Sequence, residues 1–334
     1  MNYRKVIVTR RGGVEGMQVV EDELPAPAAG QVSIKILASS VGRTDIHYRY
    51  GRSPLSPKIP FVPGYQMVGE VQAVGRNVKD FKVGDHVAAL TGTGSNAEMI
   101  LLSGDDLVHV PDGVAVDEAA IVILNYVTAY QMLHRAAGVQ AGESALLVGA
   151  SGGVGTALME LGRLAGLKLY GLASAEKHAL LASYGVSPID YRHQDFTTVL
   201  EQAEPAGVKY VFDGMGGHYT RRAMYVLQHG GKLVGYAPPP SLGAMLVHAL
   251  HLVLLSLWPD GKSATFYGIS ALYARDKQPF KEDLPKLFKL LEEGKIKPVI
   301  HARFPLLEAA KAQALLESGE VGGNIALLAA GLME

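Results

Sequence analysis

Residues 144–165 read SALLVGASGGVGTALMELGRLA, and this stretch decides the fold. It opens on Ala145–Val148, a continuous apolar run typical of a strand with both faces covered. The glycine-rich run Gly149–Gly155 follows at once. Apolar residues then recur at helical spacing, at Val154, Ala157, Leu158, Leu161, Leu164 and Ala165. The stretch therefore predicts a buried strand, a tight glycine turn and an amphipathic helix.

That order of elements favours a site for the pyrophosphate of a dinucleotide. Glycine permits a tight turn and lets backbone amides approach the phosphates, while the helix N-terminus supplies N–H donors and a favourable dipole. A tight packing turn without a ligand is the alternative. The residues expected to contact the cofactor here are Gly149, Ser151, Gly152, Gly153, Val154 and Gly155.

Strands and helices continue to alternate after the glycine run. Helices are predicted at Glu176–Tyr184 and near Arg221–Gln228, and strands at Lys168–Ala173, Val208–Phe212 and Lys232–Tyr236. A succession of this kind is typical of a doubly wound parallel sheet. We therefore assign residues 123–265 to a Rossmann cofactor-binding domain of an α/β protein.

The flanking segments have a different texture. Residues 1–122 carry β-branched runs broken by Gly and Pro, such as Gln31–Ala38, and predict a largely antiparallel β domain. No helix of convincing length is predicted before about Val116. Residues 266–334 contain a predicted helix at Leu284–Glu293, an extended run at Pro298–Phe304 and a last strand near Asn324–Leu328, and we expect them to complete the first domain.

The end of the second predicted strand bears on the choice of cofactor. NAD-binding folds place an acid there to hold the ribose hydroxyls, whereas this strand ends in Leu172–Ala175 without one. Ser174, Lys177 and Arg192 could instead surround a 2′-phosphate, although Glu176 stands nearby on the first helical turn. The pattern favours NADPH over NADH. Alternatively, Lys177 and Arg192 are solvated surface cations.

Composition narrows the remaining classes. The chain of 334 residues has no cysteine, which excludes disulfides, thiolate catalysis and Cys-ligated metals. Its net charge of −1 gives no sign of a nucleic-acid partner or an anionic membrane surface. The apolar stretch Leu242–Trp258 falls short of a membrane span and predicts a buried or interface helix. The N-terminus has no signal-peptide pattern, and a cytoplasmic location is expected.

With these residues in place, the chain resembles the medium-chain dehydrogenase/reductase superfamily, in particular its zinc-free quinone oxidoreductase branch. The resemblance implies a GroES-like, partly open β-barrel catalytic domain, a Rossmann domain, an active-site cleft between them and a homodimer. Besides the glycine run, it depends on Ser39–Asp45, Pro63–Val71, Val83–Val87, Thr128–Tyr130, Asp213–Gly217 and Gly230–Val234.

Zinc-dependent alcohol dehydrogenases of this superfamily hold a catalytic zinc, and the matching positions here differ. Their Cys corresponds to Gly42, their Gly-His-Glu motif to Gly64-Tyr65-Gln66, and their third ligand falls near Leu124. A catalytic zinc needs three protein ligands. The sequence therefore predicts a metal-independent enzyme.

The resemblance also implies catalytic residues. His47 matches a proton-relay position of alcohol dehydrogenases and Thr44 belongs to the same path, while Tyr65 is expected to face the cleft and contact substrate. His47 can equally be an ordinary polar residue at the domain edge. Further cofactor contacts are implied at Arg43, Asn125, Thr128, Gly214, Tyr236 and Asn324. A surface salt bridge is the alternative for Arg43.

The leading hypothesis is an NADPH-dependent reductase that transfers hydride to quinones or to activated C=C bonds of enones and enals. Its partner would be a small apolar or conjugated carbonyl or quinone substrate. An enoyl-thioester reductase is an alternative, against which stands Ser53 where such relatives often carry Tyr. A non-catalytic NADPH-binding protein is the other alternative, since no residue is an unambiguous acid or base.

Overall fold

The computed structural model describes residues 1–237, 243 and 260–333 of the chain. Contacts divide the chain into a first unit, Met1–Val127 with Lys277–Glu334, and a second unit, Thr128–Asp276. The boundaries predicted from sequence, 122/123 and 265/266, lie five and eleven residues earlier. They differ because a continuous helical run crosses the first boundary, and because the helix that follows the last strand of the second unit stays with that unit.

The first unit is built mainly of antiparallel strands. The strands of this unit are β1 Asn2–Val8, β2 Met17–Glu23, β3 Gln31–Val41, β4 Gln66–Val74, β5 His86–Leu90, β6 Met99–Ser103, β7 Val108–His109, β14 Ile300–Pro305 and β15 Asn324–Leu328. One sheet has the order β14-β15-β3-β4-β5-β7, with β6 also paired to β3, and β1 pairs separately with β2.

Strand β15 explains how the C-terminal segment completes this unit. It pairs with β3 on one side and β14 on the other, and all five of its residues are buried. Ile34 and Ile36 of β3 are likewise fully buried in the core of the unit. Removing such side chains from water stabilises the fold by about 1.5–3 kcal/mol each.

Helix α1, Arg43–Tyr50, is an eight-residue helix in the region where no helix of convincing length was predicted before about Val116. Its residues are mostly polar, so the sequence shows no apolar residues at helical spacing that would predict this helix. Instead it is fixed at its ends: Asp45 accepts a hydrogen bond from the N-cap amide of Gly42, and Gly51 closes it with φ 71°. The other helices of this unit are α2 Val116–Ile121, α9 Gln278–Glu292 and α10 Ala309–Ser318.

Arg49 ties helix α1 to the rest of the first unit. Its guanidinium has 0% exposure, its Nε donates to Gln313 Oε1 of α10 at 2.7 Å, and its other nitrogens donate to Glu317 and to the Gly12 carbonyl. A buried guanidinium is tolerated only when its donors are satisfied. Arg49 therefore anchors the helix that carries two of the candidate catalytic residues, Thr44 and His47.

Asp45 holds two loops in place from the same helix. Its carboxylate accepts from the backbone N–H of Gly42 at 2.9 Å and of Gly64 at 3.0 Å, and the residue is 2% exposed. Burial raises the pKa of Asp45 to about 6, although both N–H donors act to lower it. Gly42 and Tyr65, two positions matched to zinc ligands, thus sit on loops positioned by one carboxylate.

The second unit contains a parallel sheet in the order β10-β9-β8-β11-β12-β13. Numbered from its first strand, this is the order 3-2-1-4-5-6 of dinucleotide-binding folds, which confirms the predicted Rossmann fold. The strands are β8 Ser144–Val148, β9 Lys168–Ala173, β10 Ser187–Asp190, β11 Val208–Asp213, β12 Leu227–Gly235 and β13 Ser263–Phe266.

Helices alternate with these strands. They are α3 Val127–Gln131, α4 Gly153–Leu164, α5 His178–Ser183, α6 Phe196–Ala203, α7 His218–Val226 and α8 Ile269–Arg275. Helix α7 begins three residues before the predicted start, because the chain turns at Gly216 and Gly217, both at positive φ. The two strands at the topological switch point, β8 and β11, end side by side with Val148 opposite Asp213.

Two turns of π-helix, Val122–Tyr126 and Met132–Ala137, flank α3. Such turns frequently occur at functional sites. The predicted helix at Leu242–Trp258 lies outside the described residues, except for Gly243. In the part of the chain that is described, no helix combines the length and apolar character needed to cross a membrane.

Replacing Arg49 by Met should lower the free energy of unfolding by about 3 kcal/mol, since it leaves the buried amide of Gln313 and the carboxylate of Glu317 without their partner. Urea unfolding followed by circular dichroism measures the loss. Arg10→Met is the control, because the Arg10 side chain is 65% exposed and pairs with Glu15 at 3.6 Å on the surface. Equal stability of the two variants would contradict the anchoring role of Arg49.

Asp45 should make stability fall as pH rises through the acid range. Because its pKa in the folded protein is about 6, above the unfolded value, the folded state binds the proton more tightly between about pH 4 and 6. The unfolding free energy of the wild type minus that of Asp45→Asn should decrease across this window and level off above about pH 7. A difference that increases with pH would show that the two N–H donors outweigh burial.

Candidate functional site

The glycine run forms the turn that the sequence predicts. Gly149 follows β8 with φ 88°, and Gly152 is the N-cap of α4. A Cβ on Gly155 would lie 2.3 Å from the Gly149 carbonyl oxygen and 2.4 Å from that of Ala150. Only glycine at position 155 therefore lets α4 begin this close to the end of β8. The N-terminus of α4 thus lies at the switch point of the sheet.

Two features of the second unit, one at this turn and one on α3, fit a dinucleotide. No side chain caps the first amides of α4, so these N–H groups can receive a phosphate. Thr128, predicted as a cofactor contact, is 5% exposed, and its Oγ1 is buried without a hydrogen-bond partner among the described residues. A buried hydroxyl in that state is costly unless a ligand or water satisfies it.

A second loop stands beside the glycine run, after β11. Asp213 is fully buried, and its carboxylate accepts from the amides of Met215 and Gly216 at 2.9 Å and from Thr220 Oγ1 at 2.6 Å. Gly214 and Tyr236, both predicted as cofactor residues, are brought together: a Cβ on Gly214 would lie 2.5 Å from the Tyr236 hydroxyl. Asp213 thus shapes the loop that carries Gly214.

The predicted 2′-phosphate residues gather at the ends of β9 and β10. Ser174 follows β9 and is 8% exposed, and Lys177 closes the short 3-10 turn Ala175–Lys177. Arg192 follows β10, whose last residue Asp190 lies opposite Ala173 of β9. Glu176 sits on the 3-10 turn, as expected, but its carboxylate reaches Arg192 at 3.2 Å.

Asp190 is an acid at a strand end that sequence reasoning missed. Its carboxylate accepts from the Arg192 amide at 3.0 Å and pairs with His193 Nδ1 at 2.7 Å. The hydrogen bond to His193 is the main reason why the pKa of Asp190 lies below its usual value. Its position after the third strand of this sheet, rather than the second, hid it from the motif rule.

In the first unit, helix α1 carries Arg43, Thr44 and His47. Arg43 is exposed, whereas Thr44 and His47 are half-buried. The His47 Nδ1 is buried and has no partner among the described residues. Burial, and then the charges of Arg43 and Arg52, lower the pKa of His47 below its ordinary value. The lowered pKa favours the neutral form of the His47 ring at pH 7.

Tyr65 is more enclosed than the sequence suggests. It is 2% exposed, and its ring lies 6.1 Å from that of Tyr48. Burial, with a hydrogen bond to Tyr65, raises the pKa of the Tyr48 phenol. The contact of Tyr65 with substrate stays a prediction.

Asn125 and Asn324, each predicted as a cofactor residue, lie in contact. Asn125 Nδ2 donates to Asn324 Oδ1 at 2.6 Å, and Asn324 Nδ2 donates to the Val299 carbonyl at 3.0 Å. Asn125 belongs to the π-helical turn Val122–Tyr126 and is half-buried. The remaining hydrogen-bonding capacity of its amide is suited to a polar ligand group.

The matched zinc positions offer no ligand set in this unit. Gly42 has no side chain, Leu124 has no donor atom, and the Tyr65 phenol packs against Tyr48. Gln66, in the acid position, donates its amide to Ser40 inside the sheet. Within residues 1–237 and 260–333, no three His, Asp or Glu side chains are grouped to hold a metal ion.

Sequence reasoning also missed Asp45 and Asp213 as organising residues. Both lie inside quoted motifs, and Asp213 precedes a glycine at the end of a strand, which is a recognisable signal. For Asp45 the role could not be read from the sequence, because one of its partners, the Gly64 amide, lies on a loop 19 residues away.

Comparison with known proteins agrees with this geometry. Residues 28–112 match the family described as alcohol dehydrogenase GroES-like domain, and residues 185–327 match the one described as zinc-binding dehydrogenase. A quinone oxidoreductase of Pseudomonas aeruginosa is 32% identical, over 95% of this chain and 97% of that protein. The synaptic vesicle membrane protein VAT-1 homolog of Danio rerio is 28% identical, over 97% of this chain and 70% of that protein.

A solved mycobacterial structure complexed with NADPH superposes with a TM-score of 0.84 at 26% identity, over 98% of this chain and 99% of that one. The GroES-like match lies in the first unit, and most of the second match lies in the Rossmann unit. The chain therefore belongs to the medium-chain dehydrogenase/reductase superfamily of pyridine-nucleotide-dependent oxidoreductases, in its quinone oxidoreductase-like branch.

Proposed function

We propose that the chain is a zinc-independent, NADPH-dependent reductase that transfers hydride to quinones or to the activated C=C bond of enones and enals. The observation that carries this proposal is the glycine turn at the switch point of the second unit, where Gly155 permits the close start of α4 and its first amides have no side-chain cap. The relationship to quinone oxidoreductases supports the acceptor class.

Three positively charged or hydroxyl-bearing residues support NADPH over NADH. Ser174 and Arg192 lie at adjacent strand ends, with Lys177 on the intervening turn. A 2′-phosphate accepts hydrogen bonds from such donors and is attracted by the positive charge of Lys177 and Arg192. Asp190, the nearest strand-end acid, is engaged by His193 and by the Arg192 amide, so its carboxylate is committed within the protein.

Independence from zinc is supported by the side chains at the matched positions. Gly42 and Leu124 have no atom that binds a metal, and Gln66 is committed to Ser40. Alcohol oxidation would then lack a Lewis acid to stabilise an alkoxide. Reduction of a conjugated acceptor does not require a Lewis acid. The protein must supply only hydrogen-bond donors for the developing oxyanion and a proton.

The chain's own residues would divide this work. A bound reduced nicotinamide supplies a hydride, and the acceptor must gain one proton for each hydride it takes. Backbone amides of the glycine turn and the Thr128 hydroxyl would bind and orient the dinucleotide. The Asn125–Asn324 amide pair would hold polar groups of the ligand. His47 would donate a hydrogen bond from its ring N–H to the acceptor oxygen and act as a relay, taking a proton from water at one ring nitrogen as it gives one up at the other.

The homodimer and the contact of Tyr65 with substrate remain predictions of the resemblance, and the cytoplasmic location remains a prediction from the sequence. The oligomeric state and the role of Tyr65 can be tested on the same preparation used for activity.

Chelator-treated protein should oxidise NADPH in the presence of at least one class of acceptor. The panel consists of quinones, enals, cyclic enones and enoyl thioesters, and the loss of nicotinamide absorbance is the measurement. We expect turnover with a quinone or an enone, unchanged by chelator and at least about tenfold higher in kcat/KM with NADPH than with NADH.

Tight NADPH binding without consumption by any acceptor would overturn the reductase proposal and leave the non-catalytic binding protein. Turnover that is lost with chelator and restored by zinc would overturn the metal-independent mechanism. Activity confined to enoyl thioesters would replace the proposed acceptor class.

His47→Ala should lower kcat for the preferred acceptor by about a hundredfold, the usual effect of removing one donor to a developing oxyanion. His47→Gln keeps an amide donor and should lose less. His301→Ala is the control, since His301 is exposed in the same unit. A kcat of His47→Ala within about twofold of the wild type would show that His47 is an ordinary polar residue.

A further inference from the structure

Glu176 occupies the donors that the proposed function assigns to a 2′-phosphate. Its Oε1 accepts from Arg192 Nη1 at 3.2 Å. The Ser174 hydroxyl, at the end of β9, also hydrogen-bonds the Glu176 carboxylate. An anion that bridges these two groups has the same chemistry as a phosphate oxygen.

The contact is exchangeable because it lies at the surface. The side chains of Glu176 and Arg192 are 66% and 53% exposed. An exposed ion pair contributes little stability, and its partners rearrange readily. The Arg192 guanidinium also lies 5.8 Å from the ring centroid of Tyr191, which holds it near the strand end in the absence of the carboxylate.

Position separates Glu176 from the acid that holds ribose hydroxyls in NAD-binding proteins. That acid stands at the end of the second strand of the sheet, a place taken here by Ala173 and Ser174. Glu176 lies on the 3-10 turn beyond it and is directed back towards Arg192. Its carboxylate thus carries charge of the same sign as a 2′-phosphate, at the same donors.

We propose that Glu176 is an internal counter-ion that sets the preference between NADPH and NADH, by competing with the 2′-phosphate for Ser174 and Arg192. The inference rests on the proposed use of NADPH and names a residue that limits it. A 2′-phosphorylated ligand must displace the Glu176 carboxylate. Its binding free energy is therefore reduced by the cost of breaking the Glu176–Arg192 pair. A ligand without the 2′-phosphate leaves that pair in place.

The test uses the full chain and two halves of the cofactor, adenosine 2′,5′-bisphosphate and 5′-AMP, with binding measured by titration calorimetry. Glu176→Gln should tighten binding of the bisphosphate by about three- to tenfold and leave 5′-AMP unchanged, since it removes one competing surface charge. Glu15→Gln is the matched control, because Glu15 is also exposed and paired with an arginine, in the other unit.

A double-mutant cycle shows whether the effect passes through Arg192. Arg192→Gln alone should weaken the bisphosphate by about tenfold, the loss of one charge-assisted contact. In the Arg192→Gln background, Glu176→Gln should give a clearly smaller tightening, because only the competition for Ser174 remains. A gain of the same size in that background would overturn the competition for Arg192 and leave only general charge repulsion.

Two further results would overturn the proposal. Weaker binding of 5′-AMP and NADH by Glu176→Gln would make Glu176 a ribose ligand, and an unchanged bisphosphate affinity would make it an ordinary surface acid. Failure of the reductase proposal is separate: it is read from acceptor-dependent NADPH oxidation. Tightening by Glu176→Gln in a protein that reduces no acceptor would leave the counter-ion intact and remove only the reaction.

Discussion

The close approach of helix α4 to the end of strand β8 is the constraint on which the cofactor half of this protein depends. It requires that residue 155 has no side chain, since a Cβ would lie 2.3 Å from the Gly149 carbonyl oxygen. Because the helix starts so near the strand, its first amides point towards the switch point beside β11. The fully buried carboxylate of Asp213 then fixes the neighbouring loop through two amides and a hydroxyl.

The first unit depends in a similar way on Asp45 and Arg49 of helix α1, a carboxylate and a guanidinium that are both buried. Asp45 joins the loops at Gly42 and Gly64 by hydrogen bonds to backbone amides, and Arg49 joins α1 to α10. In zinc enzymes of this superfamily the matched loops carry metal ligands. Here a buried carboxylate joins these loops through hydrogen bonds to their backbone amides.

The sequence predicted what local spacing specifies and missed what distant partners specify. Strands β9 and β15 were predicted at their observed bounds, because continuous apolar runs mark them. The glycine turn was equally readable, because its function depends on backbone that only glycine permits. Helix α1 was missed, since its residues are polar and its stability comes from Asp45, Gly51 and the contacts of Arg49 with a helix over 260 positions away.

The ends of β9 and β10 show that a binding site, like the fold, also depends on side-chain pairs that the sequence does not reveal. The motif rule finds no acid at the end of β9 and therefore predicts that a 2′-phosphate binds there. The structure adds that Glu176 turns back to Arg192 and that Asp190 is held by His193. The local charge around a bound 2′-phosphate therefore depends on which carboxylates are already paired with a cation. The number of acids close by in the sequence does not determine it. Of the two acids, only Glu176 pairs with the arginine side chain that we propose as a 2′-phosphate donor, so the proposed cofactor preference depends on that one exchange.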